Sequence, residues 1–255
     1  MVRLKHSARS DVGMIRSGNE DNFDANVNAN RGLFIVADGM GGHAAGEVAS
    51  LMAVQTVMQE LSELREIDDA GKAAAKLADA LRTANRNIHD RTLAESDKQG
   101  MGTTASVLVV DEKHYLIGQV GDSRVYLLRD GALLQLTKDH SYVQEQVDAG
   151  FLTPEQAKYH PYSNVITRCV GASHDVEPDV YKGDAKPGDV FLVASDGLTG
   201  MVDDRRIHTL LMSRAEPDRK VHSLISEANG RGGLDNITAI VVHVLGPEEA
   251  APAST

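Results

Sequence analysis

Four aspartates at the ends of apolar runs are the residues of this sequence whose placement most suggests chemistry. Asp38 ends the run Phe34-Ile-Val-Ala-Asp38, and two further runs of the same kind end in Asp122 and Asp196. Asp235 instead opens such a run, Asp235-Asn-Ile-Thr-Ala-Ile-Val-Val242. Strands packed in one core bring their ends to common rims, so the sequence predicts that these four carboxylates converge.

Convergence of these carboxylates has an electrostatic consequence. Two like charges ~4 Å apart repel by roughly 4 kcal/mol at an effective dielectric constant near 20, so ionised carboxylates need protons or cations among them. Oxygen ligands without a nearby Cys or His pattern favour Mg²⁺ or Mn²⁺ over Zn²⁺. A purely structural interpretation stays open for each aspartate alone, because Asp after a strand is a common turn former and helix N-cap.

A second group of charged residues lies upstream, in Gly13-Met-Ile-Arg16-Ser-Gly-Asn-Glu-Asp21-Asn22. The planar guanidinium of Arg16 suits bidentate binding of a phosphate or a carboxylate. Glu20 and Asp21 could orient metal-bound waters. Mixed charge in a loop of this composition is also typical of a solvated turn, and the loop alone does not decide between the two.

The elements that must position these residues are readable from hydrophobic spacing. Apolar residues at helical spacing predict helices over 44–65, 70–90, 141–150, 154–160, 203–213 and 217–229. Short runs rich in Val, Ile and Leu, bounded by Gly, Asp or Asn, predict strands over 33–37, 105–110, 115–120, 125–128, 190–194 and 237–244.

Tight connections between the central strands decide the fold class. Residues 111–114 and 121–124 join successive strands, and Asp130-Gly131 is a strong hairpin signal. We therefore predict an antiparallel meander in this stretch and an α+β fold, with sheet packed on sheet and helices outside. A Rossmann fold would need alternating strands and helices, which the sequence lacks.

Composition limits the function classes. With 26 Lys and Arg against 37 Asp and Glu, the net charge of −11 argues against nucleic acid and an anionic membrane surface as partners. The single cysteine, Cys169, excludes a disulfide framework and a multi-cysteine zinc site, and its surroundings predict a buried position in a strand-like stretch. We expect one domain over residues 1–245, a frayed tail over 246–255 and a cytoplasmic location.

Taken together, the motifs resemble those of the bacterial metal-dependent Ser/Thr protein phosphatases, the PP2C or PPM family. They occur in order along nearly the whole chain, and the ordered series is far more specific than any one motif. The segments are Val12-Gly-Met-Ile-Arg16, Asn19-Glu-Asp21, Val36-Ala-Asp-Gly-Met-Gly-Gly-His43, Gly102-Thr-Thr-Ala105, Val120-Gly-Asp-Ser-Arg124, His160-Pro161, Asn164-Val-Ile-Thr-Arg168, Ser195-Asp-Gly197 and Gly233-Leu-Asp-Asn-Ile-Thr238.

The resemblance implies an α-β-β-α four-layer sandwich, two antiparallel sheets flanked by helix pairs, with a centre of two Mn²⁺ or Mg²⁺ ions. Asp38 would bridge both ions and the Gly39 carbonyl would bind one. Asp196 and Asp235 would complete the other, and Asp122 with Asp196 would hold a third, weaker ion. Arg16 would bind the phosphate, and Glu20 and Asp21 would act as ligands or through bound water.

The implied reaction is hydrolysis of phosphoserine and phosphothreonine by a metal-bridging hydroxide, opposing a Ser/Thr protein kinase. Met40 stands where eukaryotic relatives carry a histidine, so the role of a general acid does not transfer to this chain. His43, at the start of a helix, is interpreted first as a capping or packing residue.

Residues from about 138 to 174 correspond to the family's flap, in which Thr153 is predicted to cap a helix. His160 and Arg168 could contact a phosphopeptide there, although holding the flap together is the favoured interpretation. The expected partners are phosphorylated proteins, a kinase among them, and the chain is expected to be a monomer.

Alternative functions remain at this point. One is a phosphatase of the same fold acting on a small regulatory protein in a partner-switching pathway. Another is a silent phosphoprotein-binding module, which would be expected to lack one of Asp38, Asp196 and Asp235. A two-metal nuclease is disfavoured by the net charge of −11.

Overall fold

Two antiparallel sheets form the centre of the protein in a computed structural model that describes residues 3–28, 31–41, 45–64, 67 and 69–246. Strand order in the first sheet is β1 (Leu4–Asp11), β11 (Ile237–Val244), β10 (Val190–Ala194), β7 (Arg124–Arg129) and β8 (Ala132–Gln135). The second sheet runs β2 (Asp21–Val27), β3 (Gly32–Met40), β5 (Ala105–Val110), β6 (His114–Val120) and β9 (Asp179–Asp184), and β4 (Gly102–Thr103) pairs with β3.

Helices cover the outer face of each sheet. The second sheet is covered by α1 (Ala45–Glu60) and α2 (Ala70–Ala94), and a 3₁₀ turn follows at Ser96–Lys98. The first sheet is covered by α6 (Asp204–Met212) and α7 (Pro217–Gly230). Shorter helices are α3 (Tyr142–Asp148), α4 (Pro154–Lys158) and α5 (Asp196–Thr199). The predicted α+β class and its four α-β-β-α layers are confirmed.

Three apolar clusters fill the spaces between these layers. The central one lies between the sheets, where Phe34 and Ile117 of the second sheet meet Phe191 and Ile240 of the first. Separate clusters lie under α1 and α2 and under α6 and α7. Both faces of the central strands are therefore buried, which explains why those strands are continuous apolar runs in the sequence.

The six predicted strands are the interior strands of the two sheets, and the prediction missed the four edge strands and the two-residue β4. These edge strands are β1, β8, β2 and β9. Their side chains are largely half-buried or exposed, as in the β1 sequence LKHSARSD. An edge strand with few buried side chains lacks the apolar run that identified the others.

The predicted meander is wrong at one connection. β6 and β7 lie in different sheets, and residues 121–123 carry the chain from one sheet to the other. Gly121 adopts φ +102°, and a Cβ there would lie 2.6 Å from Thr104 Cγ2, so this position requires glycine. The crossing is fixed by Ser123, whose carbonyl accepts from Ser106 Oγ (3.0 Å) and Gln119 Nε2 (2.7 Å). Asp122 therefore lies between the sheets.

Other details of the sequence prediction have mixed outcomes. The Thr153 side chain caps α4 in a capping box with Gln156, as predicted. Cys169 is half-buried, not fully buried as expected, and it has no regular secondary structure itself, although Val170 beside it forms an isolated antiparallel bridge with Thr103. Most of the predicted 246–255 tail lies outside the described residues. No helix in the described ranges is both long and apolar enough to cross a membrane.

Phe191→Ala tests the central cluster, because its ring is fully buried between the sheets and meets Tyr115 edge-on at 5.3 Å. Removing it leaves a cavity, so we expect the free energy of unfolding to fall by about 3–5 kcal/mol in urea titrations. The exposed Leu134 provides the control, since Leu134→Ala should change stability by less than about 0.5 kcal/mol. Equal effects of the two substitutions would contradict this account of the core.

Candidate functional site

The structure brings five aspartates to one rim, where strands of both sheets end. Asp21 opens β2 and lies opposite Asp38 in the β2–β3 register. Asp196 follows β10 and opens α5, and Asp235 lies just before β11. Asp122 approaches from the crossing between the sheets, near Asp196. The Asp38 and Asp196 carboxyl groups lie next to each other.

Asp21 connects the two sheets at this rim. Its Oδ2 accepts hydrogen bonds from Ser195 Oγ (2.8 Å) and Thr238 Oγ1 (2.6 Å), which both belong to the first sheet or its end. Its Oδ1 is buried and has no hydrogen-bond partner. Ser195 Oγ also accepts from the Thr238 amide at 2.9 Å. One carboxylate oxygen is thus held while the other is left available.

The main chain of Asp38 is fixed by the two threonines that follow Gly102. The Thr104 amide and the Thr103 hydroxyl donate to the Asp38 carbonyl at 2.8 and 2.9 Å. The Asp38 amide in turn donates to Thr104 Oγ1 at 2.9 Å. Gly39 is equally confined, because a Cβ there would lie 2.1 Å from the Gly46 carbonyl oxygen. The backbone that presents the Asp38 side chain is therefore rigid.

Glu20 is positioned through its backbone by Asn236. The Glu20 amide donates to Asn236 Oδ1 at 2.8 Å, and Asn236 Nδ2 donates to the carbonyls of Val12 and Gly18, both at 2.9 Å. The Glu20 carbonyl accepts from Ser50 Oγ at 2.5 Å. Its half-buried carboxylate lies close to Gly46, in the first turn of α1. A helix N-terminus stabilises a negative charge at such a place.

Arg16 lies at the mouth of the carboxylate cluster. Its guanidinium donates to Asp235 Oδ2 at 2.7 Å, and the two side chains are 51% and 35% exposed. Arg16 is therefore accessible from solvent, in contrast to the buried Asp21 and Asp122.

Burial and mutual repulsion raise the pKa values of the four buried carboxyl groups, those of Asp21, Asp38, Asp122 and Asp196. Burial is the larger cause for Asp21, whose pKa rises to about 7 with further contributions from Asp196 and Asp235. The pKa of Asp122 rises to about 8, mainly through burial and then through the charge of Asp196. The pKa of Asp38 lies well above its usual range for the same two reasons. A cluster of this kind favours any bound positive charge.

The donor set fits ions that prefer oxygen ligands. Three buried carboxylate oxygens have no hydrogen-bond partner, namely Asp21 Oδ1, Asp122 Oδ1 and Asp196 Oδ1. Within the described ranges, no three His, Cys, Asp or Glu side chains are grouped tightly enough to hold an ion by themselves. An ion here would therefore need backbone carbonyls or water besides the carboxylates, as Mg²⁺ and Mn²⁺ accept.

Residues 138–174 join the rim at Gly121. His140 exchanges two hydrogen bonds with Gly121: its amide donates to the Gly121 carbonyl (2.9 Å), and its Nδ1 accepts from the Gly121 amide (3.1 Å). Arg168 donates to Asp179 Oδ1 (2.8 Å) and to the Glu177 carbonyl (2.9 Å), so it fastens the segment to the residues that lead into β9. His140 is a positioning residue that the sequence reasoning missed.

Three further residues that the sequence analysis named are His160, Met40 and His43. The His160 ring packs among the rings of Tyr142 and Tyr162. Met40, half-buried, ends β3. His43 lies outside the described residues. Ser195, Thr238 and Asn236 were part of quoted motifs without a role, and only the pairing across the sheets reveals what they hold.

The motifs of the rim agree with a known protein family. The family model described as protein phosphatase 2C matches residues 15–227. The serine/threonine protein phosphatase PstP of Mycobacterium tuberculosis is 42% identical over 95% of this chain, which spans 45% of that protein's length. Protein phosphatase PhpP of Streptococcus pneumoniae is 39% identical over 94% of this chain and 97% of its own length.

A solved structure extends the similarity to three dimensions. The catalytic domain of PstP in complex with two manganese ions superposes with a TM-score of 0.84 at 39% identity. The match covers 96% of this chain and 100% of that chain.

The raised pKa values of the rim predict how the metal-free protein responds to pH. Asp21 and Asp122 hold protons in the folded state up to about pH 7 and 8, whereas their pKa is 3.8 when unfolded. The folded state then binds more protons than the unfolded state, so stability falls as pH rises through this window. With a chelator present, we expect the melting temperature to fall between about pH 5 and pH 8 and Asp122→Asn to flatten that slope.

Asp130→Asn provides the matched control, because Asp130 is exposed in the β7–β8 hairpin at φ +51°, a conformation that Asn also adopts readily. Its melting temperature should keep the slope of the unsubstituted protein. Identical slopes in all three proteins would refute the link between the buried carboxyl groups and stability.

Proposed function

The chain belongs to the protein phosphatase 2C family, and on that basis we propose that it is a metal-dependent phosphatase of phosphoserine and phosphothreonine. The observation that carries the proposal is a rim of buried carboxylates with unpaired oxygens and an accessible arginine at its mouth. Such a rim suits divalent cations on its inner side and a phosphate on its outer side.

Five residues are proposed as ligands of two Mn²⁺ or Mg²⁺ ions: Asp21, Asp38, Asp196 and Asp235 through carboxylates, and Gly39 through its carbonyl. Manganese is favoured by the two ions bound to PstP. Asp122, with Asp196, is proposed for a third and weaker ion, which the unpaired Oδ1 of each supports. When bound, such ions neutralise charge on the phosphoryl oxygens and lower the pKa of the attacking water.

The chain's own side chains bind and orient the phosphate ester. Arg16 is proposed to bind the phosphoryl oxygens with its planar guanidinium, which its exposed position permits. Glu20, whose backbone amide is held by Asn236 and whose carboxylate lies near the start of α1, is proposed to orient water at the rim. Ser195 and Thr238 keep one oxygen of Asp21 occupied, so that its other oxygen faces a ligand.

Residues 138–174 are proposed to form a flap within a single domain of residues 1–245. Its attachment at Gly121, directly before Asp122, supports a position beside the site. The substrates are proposed to be phosphoproteins made by a Ser/Thr protein kinase, since phosphoserine and phosphothreonine arise by that reaction. A monomeric state and a cytoplasmic location stay predictions.

Asp38→Asn is the direct test of this function. Loss of the central carboxylate should abolish Mn²⁺-dependent hydrolysis of p-nitrophenyl phosphate and of a phosphothreonine peptide, because the proposed ions share this side chain. The same variant should lose the rise in melting temperature that Mn²⁺ gives the unsubstituted protein, since a ligand bound to the folded state stabilises it. Asp130→Asn is the control and should behave as the unsubstituted protein. Full activity of Asp38→Asn would exclude the proposed role.

Arg16→Ala separates phosphate binding from metal binding. Removing a charged hydrogen bond to the phosphate should raise KM for p-nitrophenyl phosphate by about ten- to a hundredfold. Stabilisation by Mn²⁺ should persist, because the proposed ligands remain. Arg214, exposed in the loop between α6 and α7, gives the matched control Arg214→Ala. An unchanged KM in Arg16→Ala would argue against phosphate binding by this side chain.

A further inference from the structure

Exposed apolar side chains are concentrated around Arg16. Among the residues that the structure describes, twelve large apolar side chains are exposed, and four of them lie in the two segments that carry Arg16 and Asp235. They are Val12, Met14, Ile15 and Leu234, at 37%, 65%, 67% and 57% exposure, and together they are called the arginine rim. Single exposed apolar residues are ordinary, whereas a group of them marks a contact surface.

The arginine rim is a fixed surface, because its two segments are fastened to each other. The Met14 amide donates to the Gly233 carbonyl at 2.8 Å. Asn236 Nδ2 donates to the Val12 carbonyl at 2.9 Å, and Arg16 binds Asp235 at 2.7 Å. The first two of these bonds do not involve Arg16, so they hold the two segments together also when Arg16 binds a phosphate.

We propose that the arginine rim binds an apolar side chain next to the phosphorylated residue of a protein substrate, an inference that rests on the proposed function. With the phosphate held at Arg16, the substrate chain must pass close to the residues around that arginine. Two extended residues span at most roughly 7 Å, so the neighbour of the phosphorylated residue stays within reach of the rim. Ile15 is adjacent in the sequence to Arg16, and Leu234 is adjacent to Asp235, so both exposed side chains belong to the segments that this path must approach.

The charge at the mouth of the carboxylate cluster also favours an apolar residue next to the phosphorylated one. The Glu20 carboxyl group interacts electrostatically with Asp235 and Glu47 as well as with Arg16, so Arg16 lies among acidic side chains. An acidic neighbour of the phosphorylated residue would be repelled there. An apolar neighbour would meet Val12, Met14, Ile15 and Leu234 and remove apolar surface from water on both sides.

The test measures preference between peptides that differ in one residue. Phosphothreonine peptides carry either leucine or serine directly before or directly after the phosphothreonine, and kcat/KM is measured with Mn²⁺. We expect the unsubstituted protein to prefer leucine by about five- to tenfold at one of the two positions, as partial burial of that side chain implies. Ile15→Ser and Leu234→Ser should each reduce this ratio towards one.

Met212→Ser is the matched control. Met212 is 50% exposed and ends α6, near the Lys220 and His243 end of the first sheet, so it lies away from Asp235. Its leucine-to-serine ratio should equal that of the unsubstituted protein. A substitution that lowers kcat/KM equally for every peptide leaves the leucine-to-serine ratio unchanged, so the ratio reports only the preference between the peptides.

Three outcomes would overturn the inference alone. The unsubstituted protein could hydrolyse leucine and serine peptides equally well at both positions. The rim variants could lower kcat/KM for both peptides by the same factor, which would mean that the rim only supports the site. They could also change the sedimentation behaviour and keep the ratio, which would assign the rim to a second copy of the chain. Failure of the unsubstituted protein to hydrolyse any peptide or p-nitrophenyl phosphate with Mn²⁺ would overturn the proposed function itself.

Discussion

Repulsion among buried carboxylates is the constraint on which the structure around the site depends. Asp21, Asp38, Asp122 and Asp196 gather where burial and mutual charge both oppose ionisation, and their raised pKa values express that cost. A fold gains nothing in stability from such a group. The free-energy cost of gathering these carboxylates is offset only when a cation binds among them. Such a cluster is therefore typical of a binding site and not of a hydrophobic core.

The two-sheet architecture supplies what this cluster requires. Each sheet contributes strand ends to the same rim, and hydrogen bonds across the sheets keep the carboxylates from moving apart. Asp21 of the second sheet is held by Ser195 and Thr238 of the first, and Asp38 is held through its main chain by Thr103 and Thr104. Hydrogen bonds from both sheets therefore oppose the repulsion among the carboxylates.

Sequence reasoning identified the interior strands because their side chains are buried on both faces and form continuous apolar runs. It missed the edge strands β1, β2, β8 and β9, since their side chains are mostly exposed or half-buried and form no continuous apolar run. From their positions at strand ends it also predicted that Asp38, Asp122, Asp196 and Asp235 converge, and these four do lie near one another. It assigned Asp21 to a separate loop and did not predict its place opposite Asp38. The roles of Ser195, Thr238 and His140 depend on contacts between segments distant in sequence, and no local sequence pattern predicts such contacts.

The crossing at Gly121 shows how such a local signal can mislead. A short Gly-Asp-Ser connection between apolar strands is typical of a hairpin, yet here both flanking strands are buried in different sheets. The buried hydrogen-bond network of Thr104, Ser106, Gln119 and Ser123 favours a crossing between the sheets over a hairpin, because it stabilises the turn only when the sheets face each other.

The pair of Arg16 and Asp235 is arranged differently from the buried carboxylates, and the difference is informative. A half-exposed ion pair contributes only about 0–1 kcal/mol to stability, so giving up this contact costs the fold little. Arg16 can therefore exchange a carboxylate for a phosphate of similar geometry without rearrangement of the sheets beneath it. The buried carboxylates, in contrast, are fixed by the core. In the proposed function, the rigid inner cluster would hold the metal ions, and the accessible Arg16 would bind and release the substrate.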